Sequence, residues 1–578
     1  MRKKLVPVAM GAAGLLLLGG GFATAAVTDP FGANRLDGDK TDQIIEQARK
    51  GPAKNVILVI GDGMGDQEIT QARNYQYGAA GSLPGIDALP ITGQMTTYSV
   101  TREGIPDYVP DSAATGTAWS TGSKTYDNAV AVDYQGNPLT SILKTAKANG
   151  LKTGDITTSE IQDATPAVQV ASVKQRACYS PSRIEQCGDD ALDKGGPGSI
   201  SEQLLATRPD VTLGGGASYF DDTILAGQYE GKTVLESAQQ QGYQLINDKT
   251  ALDGVTRADQ DAPLLGLFEP KNMATEWEPT PATPGGANGD AVTCKPNPAV
   301  PATSPDLAAM TKKSIELLDN DKGFFLQVEG ASIDKSDHAR DACGQIGETV
   351  ALDRAVQEAL NFAKADGNTL VIVTADHSHN SQITEDADDV VPSIKLRTKD
   401  GADMGIIYPT GAHSGTQVRV AAFGPGAANV TGLIDETDLN KIMSRALQLD
   451  SSATTEPTPT EEPTPTEEPT PSGEPTATSQ PTPTGEPTAT GEPAPTDEPT
   501  ATGDPTPTDE PGDQPTSQPT AVGGAGDQGS GGDAVRTQQV PGGGNLAQTG
   551  GPAGMVAITA GLAMLTGAAL LLRRQFRS

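Results

Sequence analysis

Only four histidines occur in the 578 residues, and His338, His377, His379 and His413 all lie in the last third of the stretch that precedes a proline-rich segment. If Asp334-Lys335-Ser336-Asp337-His338 is helical, Asp334 and His338 stand at i and i+4 on one face, the spacing by which two ligands reach one cation. Alone, that segment would equally suit a solvated turn with an ordinary ion pair. Asp376-His377 is more demanding, because a carboxylate and an imidazole buried together are costly unless a metal or a partner compensates. Nitrogen and carboxylate donors without thiolate suit zinc at a catalytic rather than a structural site. Asp62 follows a buried run and either joins such a site or caps the next helix. Asp111-Ser112-Ala113-Ala114-Thr115-Gly116-Thr117-Ala118 places Ser112 near a helix N-cap beside free backbone N–H groups, a ready anion site; in isolation a serine there does no more than cap.

These side chains need a scaffold that ends in one place. Val56–Ile60 is a continuous apolar run of the buried-strand kind that closes in Gly61-Asp62-Gly63. Leu370–Val373 runs into Thr374-Ala375-Asp376-His377, and Phe324–Val328 into Glu329-Gly330. Helical spacing appears at Leu139, Ile142, Leu143 and Ala146, with Gly150 as the stop, and at Leu352, Ala355, Val356, Ala359, Leu360 and Ala363, stopped by Gly367. This alternation predicts an α/β fold, a mostly parallel central sheet flanked by helices on both faces. Ligands of such sheets bind at the carboxyl ends of the strands, where the polar residues above fall.

Composition limits the globular part to residues 27–450. Between Ser451 and Val540 there are 18 of the 44 prolines and no apolar side chain but Ala and Val, so residues 451–545 read as a disordered, extended Pro/Thr/Glu-rich linker. That linker carries 16 acids against one arginine, and the chain ends carry six cations and no acid; of the net −33 the body therefore holds −24. So acidic a body repels nucleic acid, and an anionic substrate would need a local positive site, most simply a metal cluster. Residues 1–26, with Arg2, Lys3 and Lys4, an apolar core and Ala23-Thr24-Ala25, have the build of a secretory signal peptide. Ala553–Leu572 is long enough to cross a bilayer as a transmembrane helix, and the basic tail 573–578 places the C-terminus on the cytoplasmic side. In an exported chain Cys178, Cys187, Cys294 and Cys343 read as two disulfides with three possible pairings; Cys178 and Cys187 can close a small loop, which would leave Cys294 with Cys343.

Taken together, the segments Asp111 to Ala118, Gln162-Asp163-Ala164-Thr165-Pro166, Val328-Glu329-Gly330-Ala331-Ser332-Ile333-Asp334-Lys335, Thr374-Ala375-Asp376-His377 and His413-Ser414-Gly415 make the chain resemble the bacterial alkaline phosphatases. The resemblance implies two zinc ions and one magnesium ion. Asp334, His338 and His413 would hold one zinc, and Asp62, Asp376 and His377 the other, with Asp62 bridging to a magnesium ion held also by Thr165 and Glu329. It further implies Ser112 as the nucleophile and Arg176 as the phosphate clamp, oriented by Asp111. Asp163 and Lys335 would support the magnesium and the phosphate, and His379 would steady the ligands. The same cysteine pairing, phosphate monoester substrates and a homodimer are family expectations. Leu546-Ala547-Gln548-Thr549-Gly550, the apolar span and the basic tail resemble a sortase sorting signal, which implies cleavage after Thr549, attachment to peptidoglycan and an extracellular, wall-anchored enzyme. A sulfatase of similar fold would need x-Pro-x-Arg after its nucleophile, whereas Ala113-Ala114-Thr115-Gly116 follows Ser112. A phosphodiesterase and a non-catalytic wall-displayed scaffold are the remaining alternatives.

Overall fold

The computed structural model describes Arg35 and residues 38–452 apart from 50, 386 and 387. The chain divides into two units, Met1–Pro465 and Thr466–Ser578, and every described residue belongs to the first. The expected signal peptide, linker, LAQTG motif and transmembrane helix lie outside the described residues, among which no helix is long and apolar enough to cross a membrane.

Ten strands form one sheet. From one edge they run Gly432–Asp435, Ile91–Thr96, Val418–Phe423, Thr369–Ala375, Asn55–Gly61, Phe324–Gly330, Lys152–Glu160, Val211–Gly215, Leu264–Leu267 and Gln244–Ile246. Val418–Phe423 alone is antiparallel to its neighbours. Every other pairing is parallel. Successive residues of a strand point to opposite faces, and Val56 through Ile60 are all fully buried, so both faces of the central strand are covered. That double covering is why the strand reads as an unbroken apolar run rather than an alternation.

The two expected helices are present with shifted starts. Ile142–Ala148 begins after Leu139, because the Ser141 hydroxyl accepts from the Lys144 N–H and caps it. The helix that contains Leu352 to Ala363 begins ten residues earlier and spans Ala342–Asp366, capped by Asp341 and stopped by Gly367 in the left-handed conformation. Its first turns, from Ala342 to Val350, are buried all round, so they show no amphipathic period to read. A four-stranded sheet of Gln382–Ile383, Asp403–Ile407, Pro392–Arg397 and Thr283–Pro284 lies apart from the large one. Cys294–Cys343 ties residues 49 apart onto the long helix, and Cys178–Cys187 closes a short loop just after Arg176.

Glu348, inside the long helix, is buried and accepts the Glu276 N–H at 2.8 Å. Burial pushes its carboxyl up to about 7, with the Glu276 amide acting against that. A folded value above the unfolded one means that this acid favours the fold while protonated, and that the contribution is lost as pH rises through about 7. Glu348→Gln keeps an acceptor for the amide and removes the charge. It should raise stability by on the order of 1–3 kcal/mol at pH 9 and leave it unchanged at pH 5, as read from denaturant unfolding at the two values.

Candidate active site

Three adjacent strands deliver the site. Asn55–Gly61 ends at Asp62, Thr369–Ala375 ends at Asp376 and His377, and Phe324–Gly330 carries Glu329 and leads into the helix Ser332–His338. Asp334 and His338 are on that one helix, four residues apart as the spacing predicts, with His338 Nε2 3.2 Å from Asp334 Oδ1. Asp62 is not a helix cap; Gly65 occupies that position for Asp66–Tyr77. Gly63 is required where it stands, because its φ is +71° and a Cβ there would lie 2.6 Å from His379 Cδ2.

All four histidines converge. Donor atoms of Asp334, His338, His379 and His413 lie within 4.8 Å of one another, as do those of Asp62, Asp334 and His377. His377 stacks on His413 with ring centroids 3.6 Å apart. His338 Nδ1 donates to the Gly411 carbonyl at 2.6 Å and His413 Nδ1 to the Pro110 carbonyl at 2.8 Å. A carbonyl can only accept, so each Nδ1 carries a proton, and in the neutral rings each Nε2 presents a lone pair. Those two Nε2 atoms face each other at 3.1 Å, and His413 Nε2 is 3.3 Å from Asp334 Oδ1. Three acceptors that close repel unless a cation sits among them. Buried Asp62 Oδ1, Asp376 Oδ2 and Thr165 Oγ1 likewise have no hydrogen-bond partner. Burial, then Asp334 and Asp376, push the Asp62 carboxyl well above its ordinary range, and burial holds the His377 imidazole well below its own, in the neutral form that ligates. These residues fit metal ions. His379 donates through Nε2 to Asp334 Oδ1 at 2.6 Å, which orients that carboxylate.

Ser112 opens the helix Ser112–Thr121, one residue after its cap, which is Asp111. Its Oγ is 3.3 Å from His377 Nε2. Asp111 Oδ1 accepts the N–H groups of Ala114 and Asn128, both at 3.0 Å, while its Oδ2 accepts Arg176 Nη1 at 3.1 Å. One carboxylate thus fixes both the serine helix and the guanidinium. Arg176 Nη2 donates to Asp163 Oδ1 at 2.6 Å, and Lys335 Nζ to Asp163 Oδ2 at 2.9 Å. Burial works against the Asp163 charge, but Lys335 and Arg176 hold its carboxyl well below the usual range. Glu329 accepts from Thr157 Oγ1 and, at 3.3 Å, from Ser159 Oγ; burial pushes it up to about 7.

Several positioning groups escaped the sequence. The carbonyls of Pro110 and Gly411 orient two imidazoles, and the Gly63 and His377 N–H groups each donate to Asp376 Oδ1 at 2.8 Å; backbone atoms leave no trace in residue type. Gln327 did leave one, a polar residue in the middle of Phe324–Val328.

Fold and site together define a metal-binding hydrolase. A family model described as alkaline phosphatase matches residues 53–411. An alkaline phosphatase of Escherichia fergusonii is 56% identical over 438 residues, covering 74% of this chain and 93% of that protein. Alkaline phosphatase H of Pseudomonas aeruginosa is 54% identical over 438 residues, covering 74% and 92%. Streptomycin-6-phosphate phosphatase of Streptomyces griseus is 45% identical over 420 residues, covering 70% and 92%. The solved alkaline phosphatase of the Antarctic bacterium TAB5 superposes with a TM-score of 0.52 at 26% identity, over 70% of this chain and 100% of that one. A TAB5 variant solved with Mg bound has a TM-score of 0.51 at 27% identity, with the same coverage. The chain belongs to the alkaline phosphatase family and is an enzyme of that class.

With the cluster stripped of cations, its carboxylates repel a phosphate ion, and Arg176 and Lys335, both already paired with carboxylates, offset that only in part. Calorimetric titration with inorganic phosphate should therefore show affinity falling at least about 100-fold after chelation and returning when metal is restored. Tight binding by the stripped protein would contradict this account of the site.

Proposed function

We propose that this enzyme hydrolyses phosphate monoesters through a covalent phosphoserine at Ser112 and does so displayed on the cell wall. The observation that carries the first part is the Ser112 Oγ, at the start of a helix and 3.3 Å from His377 Nε2, beside acceptors that need a cation. One zinc ion would be held by Asp334, His338 and His413, a second by Asp62, Asp376 and His377, and one magnesium ion by Asp62, Thr165 and Glu329. When bound, these ions supply positive charge that favours the ionised serine hydroxyl and offsets the charge of the phosphate oxygens.

The chain's own groups do the rest. Ser112 Oγ bonds to phosphorus as the ester P–O bond opposite breaks, and the proton it gives up passes through solvent to the departing oxygen, which leaves as the alcohol. Water then attacks the same phosphorus from the vacated side as the Oγ–P bond breaks; a proton from that water passes through solvent to Oγ, which restores the hydroxyl, and phosphate departs. Arg176, held by Asp111 and Asp163, has further N–H groups with which to donate two parallel bonds to non-bridging oxygens. The helix N-terminus adds N–H dipoles aimed at the same charge. Thr165 and Glu329 complete a third ligand set, which favours monoesters over the diesters of the main alternative reading.

The second part is supported by the sequence of the chain ends: residues 1–26 have the build of a signal peptide, residues 451–545 are rich in Pro, Thr and Glu, and the LAQTG motif at 546–550 precedes an apolar span. Sortase would cleave after Thr549 and join it to peptidoglycan, which makes the enzyme extracellular. The two disulfides suit that compartment. Exposed Ile105, Tyr108 and Val109, close in sequence to the nucleophile, offer an apolar surface for a homodimer.

Ser112→Ala should lower turnover of a chromogenic monoester by at least about 1,000-fold, and Arg176→Lys, which keeps charge but loses the fork, by about 10–100-fold with weaker phosphate inhibition. Acid quenching during turnover should trap phosphate on the peptide containing Ser112. A diester turned over as fast as the monoester, or equal activity in the three proteins, would overturn the assignment. For the display, the C-terminal peptide released from purified walls should end at Thr549 by mass.

A further inference from the structure

Away from the ligands assigned above, a second group of buried polar atoms lacks partners. Asp337 is 1% exposed, and neither of its carboxylate oxygens accepts a hydrogen bond. Glu68, on the helix Asp66–Tyr77, is fully buried; its Oε1 accepts from Ser381 Oγ, and its Oε2 has no partner. The Tyr408 hydroxyl is buried and unpartnered as well. Gln71 donates its amide to Ser381 Oγ at 2.7 Å, and Gln345 donates its amide to the Glu68 carbonyl at 3.2 Å and to Thr349 Oγ1 at 2.9 Å. Gln345 thus uses both of its N–H donors and Gln71 one, and each leaves its carbonyl oxygen without a partner. Tyr408 packs in one buried cluster with Ala72 and Tyr75 of the Glu68 helix and with Ala342, Cys343 and Ile346 of the long helix that carries Gln345, and the charges of Asp337 and Glu68 both act on its hydroxyl.

A buried carboxylate without a donor is costly, and the one hydroxyl that could donate here lies beyond bonding reach of any acceptor. A cation that several oxygens face at once would satisfy them together. The donors are all oxygen and include two carboxylates, which selects a hard divalent ion, calcium or magnesium, over zinc. We propose that Glu68 and Asp337, with the Tyr408 hydroxyl and the carbonyl oxygens of Gln71 and Gln345, form a binding site for a hard divalent cation separate from the catalytic ligands. Its place is structural. It joins the helix that follows Asp62 to the residue next to His338, and so fixes two arms of the catalytic cluster against each other.

The full-length protein, equilibrated with zinc, magnesium and about 1 mM calcium and then gel-filtered, is compared with Glu68→Gln and Asp337→Asn by elemental analysis and thermal unfolding. Wild type should hold one more calcium or magnesium ion per chain than either variant, with zinc content the same in all three. Added calcium should raise the unfolding midpoint of wild type by several degrees and that of the variants by none. Tyr408→Phe, which removes only a neutral donor, should fold and need about ten-fold more calcium for half of the shift. Equal calcium plus magnesium in wild type and variants, or a calcium shift unchanged by Tyr408→Phe, would overturn the site and leave Glu68 and Asp337 as an acid pair that shares a proton. Zinc content and monoester turnover report separately on the catalytic reading.

Discussion

Lone pairs aimed at lone pairs are the constraint on which the rest of this molecule depends. His338 and His413 turn their Nε2 atoms towards each other at 3.1 Å, with the Asp334 carboxylate beside them, because their Nδ1 protons are taken by the carbonyls of Gly411 and Pro110. Left to themselves, these groups would swing apart or take up protons. They are kept in place by a sheet whose central strands are buried on both faces, so that the end of each strand cannot shift independently of its neighbours. The site is assembled against its own electrostatic preference, and a cation turns that repulsion into ligation.

The same rule extends outwards through Asp163. It is flanked by Lys335 and Arg176, so an anion buried near other anions keeps its charge, and two cations stay directed at the site rather than at bulk solvent. Asp111 does similar work from the other side, since one carboxylate caps the Ser112 helix and holds the same guanidinium. A body of net −24 can therefore keep two cations turned towards the site, although their charges are balanced by Asp163 and Asp111 and a positive field there needs bound metal as well.

Much of this was legible in the residues because the constraints act on side-chain type. Val56 to Ile60 must be apolar if both faces are covered, and Asp62, Asp376 and His377 stand out as polar residues where such runs end. The i, i+4 spacing of Asp334 and His338 is a property of the helix and survives folding unchanged. Other features act through backbone or through long-range contact and were not visible. The long helix hid its first turns because full burial removes the amphipathic period. The carbonyls that set both histidine tautomers belong to a proline and a glycine, whose types say nothing of hydrogen bonding. Nothing in residue type sets Glu68 and Asp337 apart from other acids; packing alone removes their solvent.

Gln327 shows how the two layers meet. Its neighbours in the strand, Leu326 and Val328, are apolar and fully buried, and an amide there is tolerated only if every bond is made. Its carbonyl oxygen accepts Trp119 Nε1 at 3.1 Å and Gln169 Nε2 at 2.7 Å, while its amide donates to the Thr165 carbonyl at 2.8 Å and Asp155 Oδ1 at 3.2 Å. Trp119 is on the Ser112 helix, Gln169 and Thr165 are on the helix Ala164–Val170, and Gln327 itself lies two residues before Glu329 on the same face of the strand. An apolar residue of equal volume would pack as well but would let those two helices slide along the sheet. The hydrogen bonds, being directional, set the Ser112 helix, Thr165 and Glu329 in one register, a precision that hydrophobic burial alone does not supply.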